Sequence, residues 1–152
     1  MPLSNFILSL LVAAAAGGAV GLERQFNNKS AGLRTNTLVA IGACIFVLIN
    51  ISLMEMDGDP TRIIGQIITG IGFLGAGVIL HRGINVQGLT TAATIWCSAA
   101  LGCLAGLSMF WETAVCTVLI VLINTSFKIT DKWVLRKNKK KNQKENGQND
   151  FE

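Results

Sequence analysis

Five apolar stretches, at residues 4–22, 35–54, 60–80, 89–107 and 111–127, restrict what this chain can become. Each is long enough to cross most or all of a hydrocarbon layer roughly 30 Å thick. The only charges inside them, Arg62 and Glu112, stand close to segment ends. A backbone in hydrocarbon must satisfy its own hydrogen bonds, so segments of this kind form helices. With 51% hydrophobic and 14% charged residues and a mean hydropathy of +0.50, the sequence is wrong for a water-soluble domain. The expected fold is all-α: a polytopic membrane helical bundle of about five transmembrane helices over residues 1–127. The first segment lacks the basic start of a cleavable signal peptide and is expected to stay as a helix. Residues 128–152 form a basic tail, too polar from Arg136 onward to bury a core and expected to be disordered.

The connections set the topology. Glu23–Arg34 reads as a polar loop, Glu55–Asp59 as a short acidic one and His81–Gly88 as a turn with two glycines. In Asp59-Pro60-Thr61-Arg62 the aspartate suits a helix cap and the proline a first helical position, so the third helix is expected to begin near Pro60. Five crossings place the first connection, the third connection and the tail on one side, together holding twelve of the 13 Lys and Arg residues. Under the positive-inside rule that side is cytoplasmic and the N-terminus is outside, giving a multi-pass protein of the plasma membrane. Topology, rather than a nucleic-acid partner, then accounts for the net charge of +4. The tail also suits anionic lipid.

Helical spacing divides the third segment into two faces. One carries Gly65, Gln66, Thr69, Gly70, Gly72, Ala76 and Gly77, with Phe73 and Leu80. The other carries Ile63, Ile64, Ile67, Ile68, Ile71, Leu74 and Val78. Bulky aliphatics suit lipid and small residues suit close helix approach, so the glycine face is expected to point inward and this helix to be the central one. Ala13, Gly17 and Gly21, with Ala14 and Gly18, make a second close-contact face on the first helix. On the fourth, Thr90, Thr91, Thr94, Ser98, Gly102 and Ala105 share a face expected to point inward. Trp111 and Trp133 suit the interfaces, and Trp96 a packing position.

Several constellations invite a chemical reading. Gly70-Ile71-Gly72-Phe73-Leu74-Gly75 spells GxGxxG, but it lies inside a membrane-length helix and no acidic residue follows about twenty positions on, so it is no dinucleotide site. Glycines and threonines on helices three and four either pack closely or break locally to bind an ion. Glu23, Arg24 and Gln25, with Arg34, either snorkel to the interface or form a polar cluster in which Glu23 pairs with Arg24 or Arg34. Glu55, Asp57 and Asp59 either set topology or attract a divalent cation such as Mg²⁺. Cys44, Cys97, Cys103 and Cys116 read as small apolar fillers. With no nucleophile–base or metal-ligand spacing, neither enzyme activity nor a cofactor is expected.

GLERQ at 21–25, AGLRT at 31–35, LVAIGA at 38–43, DPTRI at 59–63, QIITGIGFLGAGVIL at 66–80 and GLTTAATIW at 88–96 together resemble the membrane domain of the MgtC/SapB family, over roughly residues 17–125. The resemblance implies a bacterial inner-membrane protein tied to growth at scarce magnesium and survival inside phagocytes, with regulation of other membrane proteins better supported than transport. Its signature falls on Glu23, Arg24, Gln25, Arg34, Thr35, Asp59, Arg62, Gln66, Gly70, Gly72, Gly75, Gly77, Thr90, Thr91 and Trp96. Longer members add a soluble C-terminal domain, whereas this chain ends in a lysine-rich tail and is closer to the short members. The expected function is non-enzymatic regulation of another membrane protein under magnesium limitation or acid stress. The alternative is a transporter or channel for Mg²⁺ or another ion. The expected partners are the lipid bilayer, another membrane protein and a second copy of the chain.

Overall fold

A computed structural model describes residues 1–54, 60–82 and 85–126. The expected acidic loop, the Asp59 cap, Trp133 and the disordered tail lie outside these residues. Among the described residues there are five helices: α1 (Leu3–Phe26), α2 (Leu33–Met54), α3 (Pro60–Gly77), α4 (Leu89–Gly106) and α5 (Phe110–Ser126). Three of them, α1, α2 and α4, are long and apolar enough to cross a membrane, and α3 and α5 are shorter apolar helices. Residues 1–121 make one compact unit, and α5 runs on into the second, which begins at Leu122.

Local chemistry explains the ends. Helix α1 runs past its apolar segment through Glu23-Arg24-Gln25, so what reads as loop is the helix's last turn. It stops at a left-handed Asn28 (φ 52°), where the Lys29 N–H reaches the Arg24 carbonyl and the Asn28 N–H that of Gln25. These are the two bonds of a Schellman cap. Helix α4 ends in the same way at Ser108 (φ 61°), with Met109 N–H on Leu104 and Ser108 N–H on Ala105. The expected turn between α3 and α4 contains a two-stranded antiparallel hairpin, β1 (Leu80–Arg82) with β2 (Asn85–Gln87), pairing Leu80 with Gln87 and Arg82 with Asn85. Gly88, at φ +95°, then turns the chain into α4 so close to Val78 that a Cβ would overlap the Val78 carbonyl oxygen. Only glycine fits there.

Helices α2 and α4 form the centre. Ala13, Cys44, Leu48 and Ala105 make one buried cluster, and Ala16, Val20 and Leu101 another that extends to Cys116 and Ile120. The close approaches are made by the expected face of α1 and by α4. A Cβ on Gly17 would lie 2.6 Å from the Asn36 carbonyl oxygen, and one on Gly21 2.6 Å from the Leu33 Cα. A Cβ on Gly102 would overlap the Ala40 carbonyl, and one on Gly106 would lie 2.8 Å from the Val47 Cβ. On α4, Thr91, Thr94, Ser98, Gly102 and Ala105 are buried as expected, whereas Thr90 is exposed.

The expectation for α3 is reversed. It lies to one side, and its aliphatic face packs inward, with Ile67 buried among Ala43, Val47 and Ala99 and flanked by Ile63 and Ile71. Gly65, Gly70, Gly72 and Gly77 have no neighbour within 4 Å of a Cβ position. Gly75, which lies among the aliphatic residues of the opposite face, is buried, with a Cβ position 3.6 Å from that of Ala92. Close packing needs small residues on one side of an interface only. Ala43 and Ala99 supply them from α2 and α4, so the isoleucines of α3 can fill the space between. Trp96 is half exposed on the same side, lining a groove with Ile64 and Ile68, rather than a core residue.

Candidate functional site

Arg24 is the largest fully buried side chain, 2% exposed, although it is charged and stands one turn from the end of α1. Helix geometry turns it toward α4, and the loop after α1 supplies its oxygens. Its Nη2 donates to the Ser30 carbonyl at 2.8 Å and to Thr91 Oγ1 at 2.7 Å. Its Nη1 donates to Thr94 Oγ1 at 3.0 Å, and its Nε is shared between the carbonyls of Ser30 at 3.1 Å and Ala31 at 3.2 Å. The planar fork of a guanidinium can meet a loop on one side and a helix on the other at once. Ala31 sits at φ 54°, a left-handed conformation that costs a non-glycine residue about 1–2 kcal/mol. Its carbonyl accepts from both Arg24 and Asn36 Nδ2.

The network continues inward. Asn36, fully buried, donates to the Ala31 and Gly32 carbonyls and accepts from Ser98 Oγ at 2.8 Å. Ser30 Oγ and Thr91 Oγ1 lie 3.2 Å apart. Polar groups of α1, the α1–α2 loop, α2 and α4 thus satisfy one another at one end of the bundle, as buried polar groups must. Ser98→Ala would leave Asn36 Oδ1 buried without its donor. Thermal unfolding in detergent should show a loss of about 1–2 kcal/mol, with Ser126→Ala, at an exposed position, as the unchanged control.

The signature residues divide between this network and the surface. Arg24 and Thr91 meet directly. Glu23 pairs with neither arginine, its carboxylate accepting instead from Asn27 Nδ2, and Arg24 turns inward rather than snorkelling. Gln25 is exposed but its Oε1 accepts the Leu33 N–H at 3.3 Å, which helps start α2. Arg34 and Thr35 are exposed in the first turn of α2. Arg62, Gln66, Gly70, Gly72 and Gly77 are exposed along α3, and Thr90 and Trp96 along α4. Asn36 and Ser98 belong to the network although neither lies in the signature. An asparagine near the start of an otherwise apolar segment was the available signal. Among the described residues no three His, Cys, Asp or Glu side chains gather to hold a metal ion.

Beside the outward face of α3, a groove of about 630 Å³ runs between α2 and α3, lined by Leu38, Gly42, Phe46, Gln66, Gly70 and their neighbours. The carboxamide of Gln66 makes no hydrogen bond among the described residues.

Three helices of membrane-crossing length, packed through glycines around a buried arginine, define a helical membrane-type protein. Its sequence matches the MgtC family over residues 10–133, and the chain belongs to that family. It is 53% identical over 123 residues to Protein MgtC of Brucella abortus (strain 2308), covering 81% of this chain and 51% of that protein. Protein MgtC of Salmonella typhimurium (strain LT2) is 50% identical over 119 residues, covering 78% of this chain and 51% of the relative. An uncharacterized Synechocystis protein is 48% identical over 128 residues, covering 84% and 54%. The chain thus spans about half the length of the relatives it matches. No solved structure matches it.

Proposed function

We propose that this chain is a non-enzymatic, multi-pass protein of the bacterial inner membrane that regulates another membrane protein by binding it through the outward face of α3. Magnesium limitation or acid stress, the setting implied by the family resemblance, is where the regulation operates. The observation that carries this reading is Gln66, an unbonded amide on an outward face that also carries open glycines, Ala76, the exposed Phe73 and Thr69, whose hydroxyl bonds back to Gly65. An amide in hydrocarbon without a partner costs several kcal/mol. A transmembrane helix laid on the glycines would bring its backbone close and offer Gln66 a partner.

Transport is supported less. The polar side chains that bond one another across helices, Arg24, Asn36, Thr91, Thr94 and Ser98, lie at one end of the bundle. Beyond them Thr113 and Thr117 bond back to their own helix, Ser9 is buried without a hydrogen bond among the described residues, and the buried clusters are alanine, valine, leucine, isoleucine and cysteine. The test is crosslinking and co-purification from native membranes, comparing wild type with Gly72→Leu and Gly65→Leu, which fill open space. A membrane protein recovered by wild type and lost from both variants supports the reading, and recovery of the same proteins by all three contradicts it. Mg²⁺ flux into proteoliposomes that Gln66→Leu abolishes would replace regulation with transport.

A further inference from the structure

We infer that the outer groove between α1 and α2 binds one anionic phospholipid, with its phosphate on Arg34 and an acyl chain in the groove. The groove, about 540 Å³, is lined by Ala14 and Gly18 of α1 and by Leu33, Arg34, Thr37 and Leu38 of α2. It is the reverse side of the contact through Ala13, Gly17 and Gly21, where the two helices part toward the surface. The groove is open at its floor because Gly18 has no side chain. Even a Cβ there would meet nothing closer than Thr37 Oγ1 at 3.6 Å and Leu33 Cδ1 at 3.7 Å.

Charge decides the occupant. Arg34 is exposed and makes neither a hydrogen bond nor an ion pair among the described residues, in contrast to Arg24 with its five bonds. Glu23, the acidic residue of the same connection, is engaged by Asn27. Arg34 also stands in the first turn of α2, where the helix end is itself positive, so the described residues supply no countercharge. It marks the level at which the polar connection meets the apolar segments, which is where lipid phosphates lie. A guanidinium suits phosphate oxygens. From there the groove runs inward past Gly18 to Ala14, a further turn or ~6 Å deeper, and below Arg34 only Thr37 interrupts its apolar lining. A cation at the rim and an apolar trough beneath it match an amphiphile with one anionic end.

The test uses the full chain in mild detergent, exposed to equal amounts of phosphatidylglycerol and phosphatidylcholine, with bound lipid counted by native mass spectrometry. Wild type should retain one phosphatidylglycerol in preference. Arg34→Gln should retain it about fivefold less and lose the preference, since one cation near the surface contributes ~1 kcal/mol. Gly18→Leu should fill the trough and reduce retention of both lipids. Lys29→Gln, an exposed lysine of the same connection, should behave as wild type. The inference is overturned if Arg34→Gln matches wild type, if Lys29→Gln matches Arg34→Gln, or if Gly18→Leu still retains the lipid. A wild type that carries no lipid, or retains both equally, overturns it as well.

Discussion

Arg24→Ala should lower the unfolding free energy of the bundle by about 3 kcal/mol, read from unfolding in mixed detergent micelles by circular dichroism. A hydrogen bond to a charged group contributes about 1.5–3 kcal/mol, and buried acceptors left without a donor add to the loss. The guanidinium ties together the carbonyls of Ser30 and Ala31 and the hydroxyls of Thr91 and Thr94. Removing it leaves the Ser30–Thr91 hydroxyl contact as the loop's remaining side-chain tie to α4 among the described residues. It also leaves the left-handed Ala31 held by Asn36 alone. Arg24→Lys should recover less than half the loss, because a single ammonium cannot span the loop carbonyls and both threonines. Arg34→Ala, exposed and unbonded, should stay within about 0.5 kcal/mol of wild type. If Arg24→Ala and Arg34→Ala behave alike, Arg24 does not hold the loop to α4.

Helix existence was legible because length and hydropathy are local properties. The observed helices start and stop within a few residues of the segments read from the sequence. The Ala13–Gly17–Gly21 face and the Thr91–Thr94–Ser98 face were legible too, since on both the small or hydroxylated residues do meet a neighbour. The same spacing argument failed for α3. Periodicity says which residues share a face, not which face meets a neighbour, and here Ile63, Ile67 and Ile71 found their complement in Ala43 and Ala99. The inward turn of Arg24 was not legible for a different reason. It depends on carbonyls that a left-handed Ala31 aims at it, and nothing in the composition of residues 23–34 announces that conformation. The pairing of Leu80–Arg82 with Asn85–Gln87 was likewise not legible, because the connecting sequence, with two glycines, reads equally well as an irregular connection.

The second large effect separates glycines that hold the bundle from glycines that do not. Gly102→Ala places a methyl against the Ala40 backbone, 3.0 Å from its Cα and overlapping its carbonyl oxygen. Both obstacles are backbone, so α2 and α4 must move apart along their whole contact. The expected loss is at least about 3 kcal/mol, the upper end of what overpacking costs. Gly72→Ala adds its methyl to open space and gives up a flexible residue in a helix, so stability should be unchanged or higher by about 0.5–1 kcal/mol.

The central claim is that α2 and α4 form the packed centre while the glycine face of α3 is free for something else. It is tested most directly by measuring the unfolding free energies of Gly102→Ala and Gly72→Ala side by side in the same micelles. A large loss at Gly102 with none at Gly72 is the predicted result. Equal losses at the two positions would mean that the glycine face of α3 is packed inside the bundle, and would contradict the account.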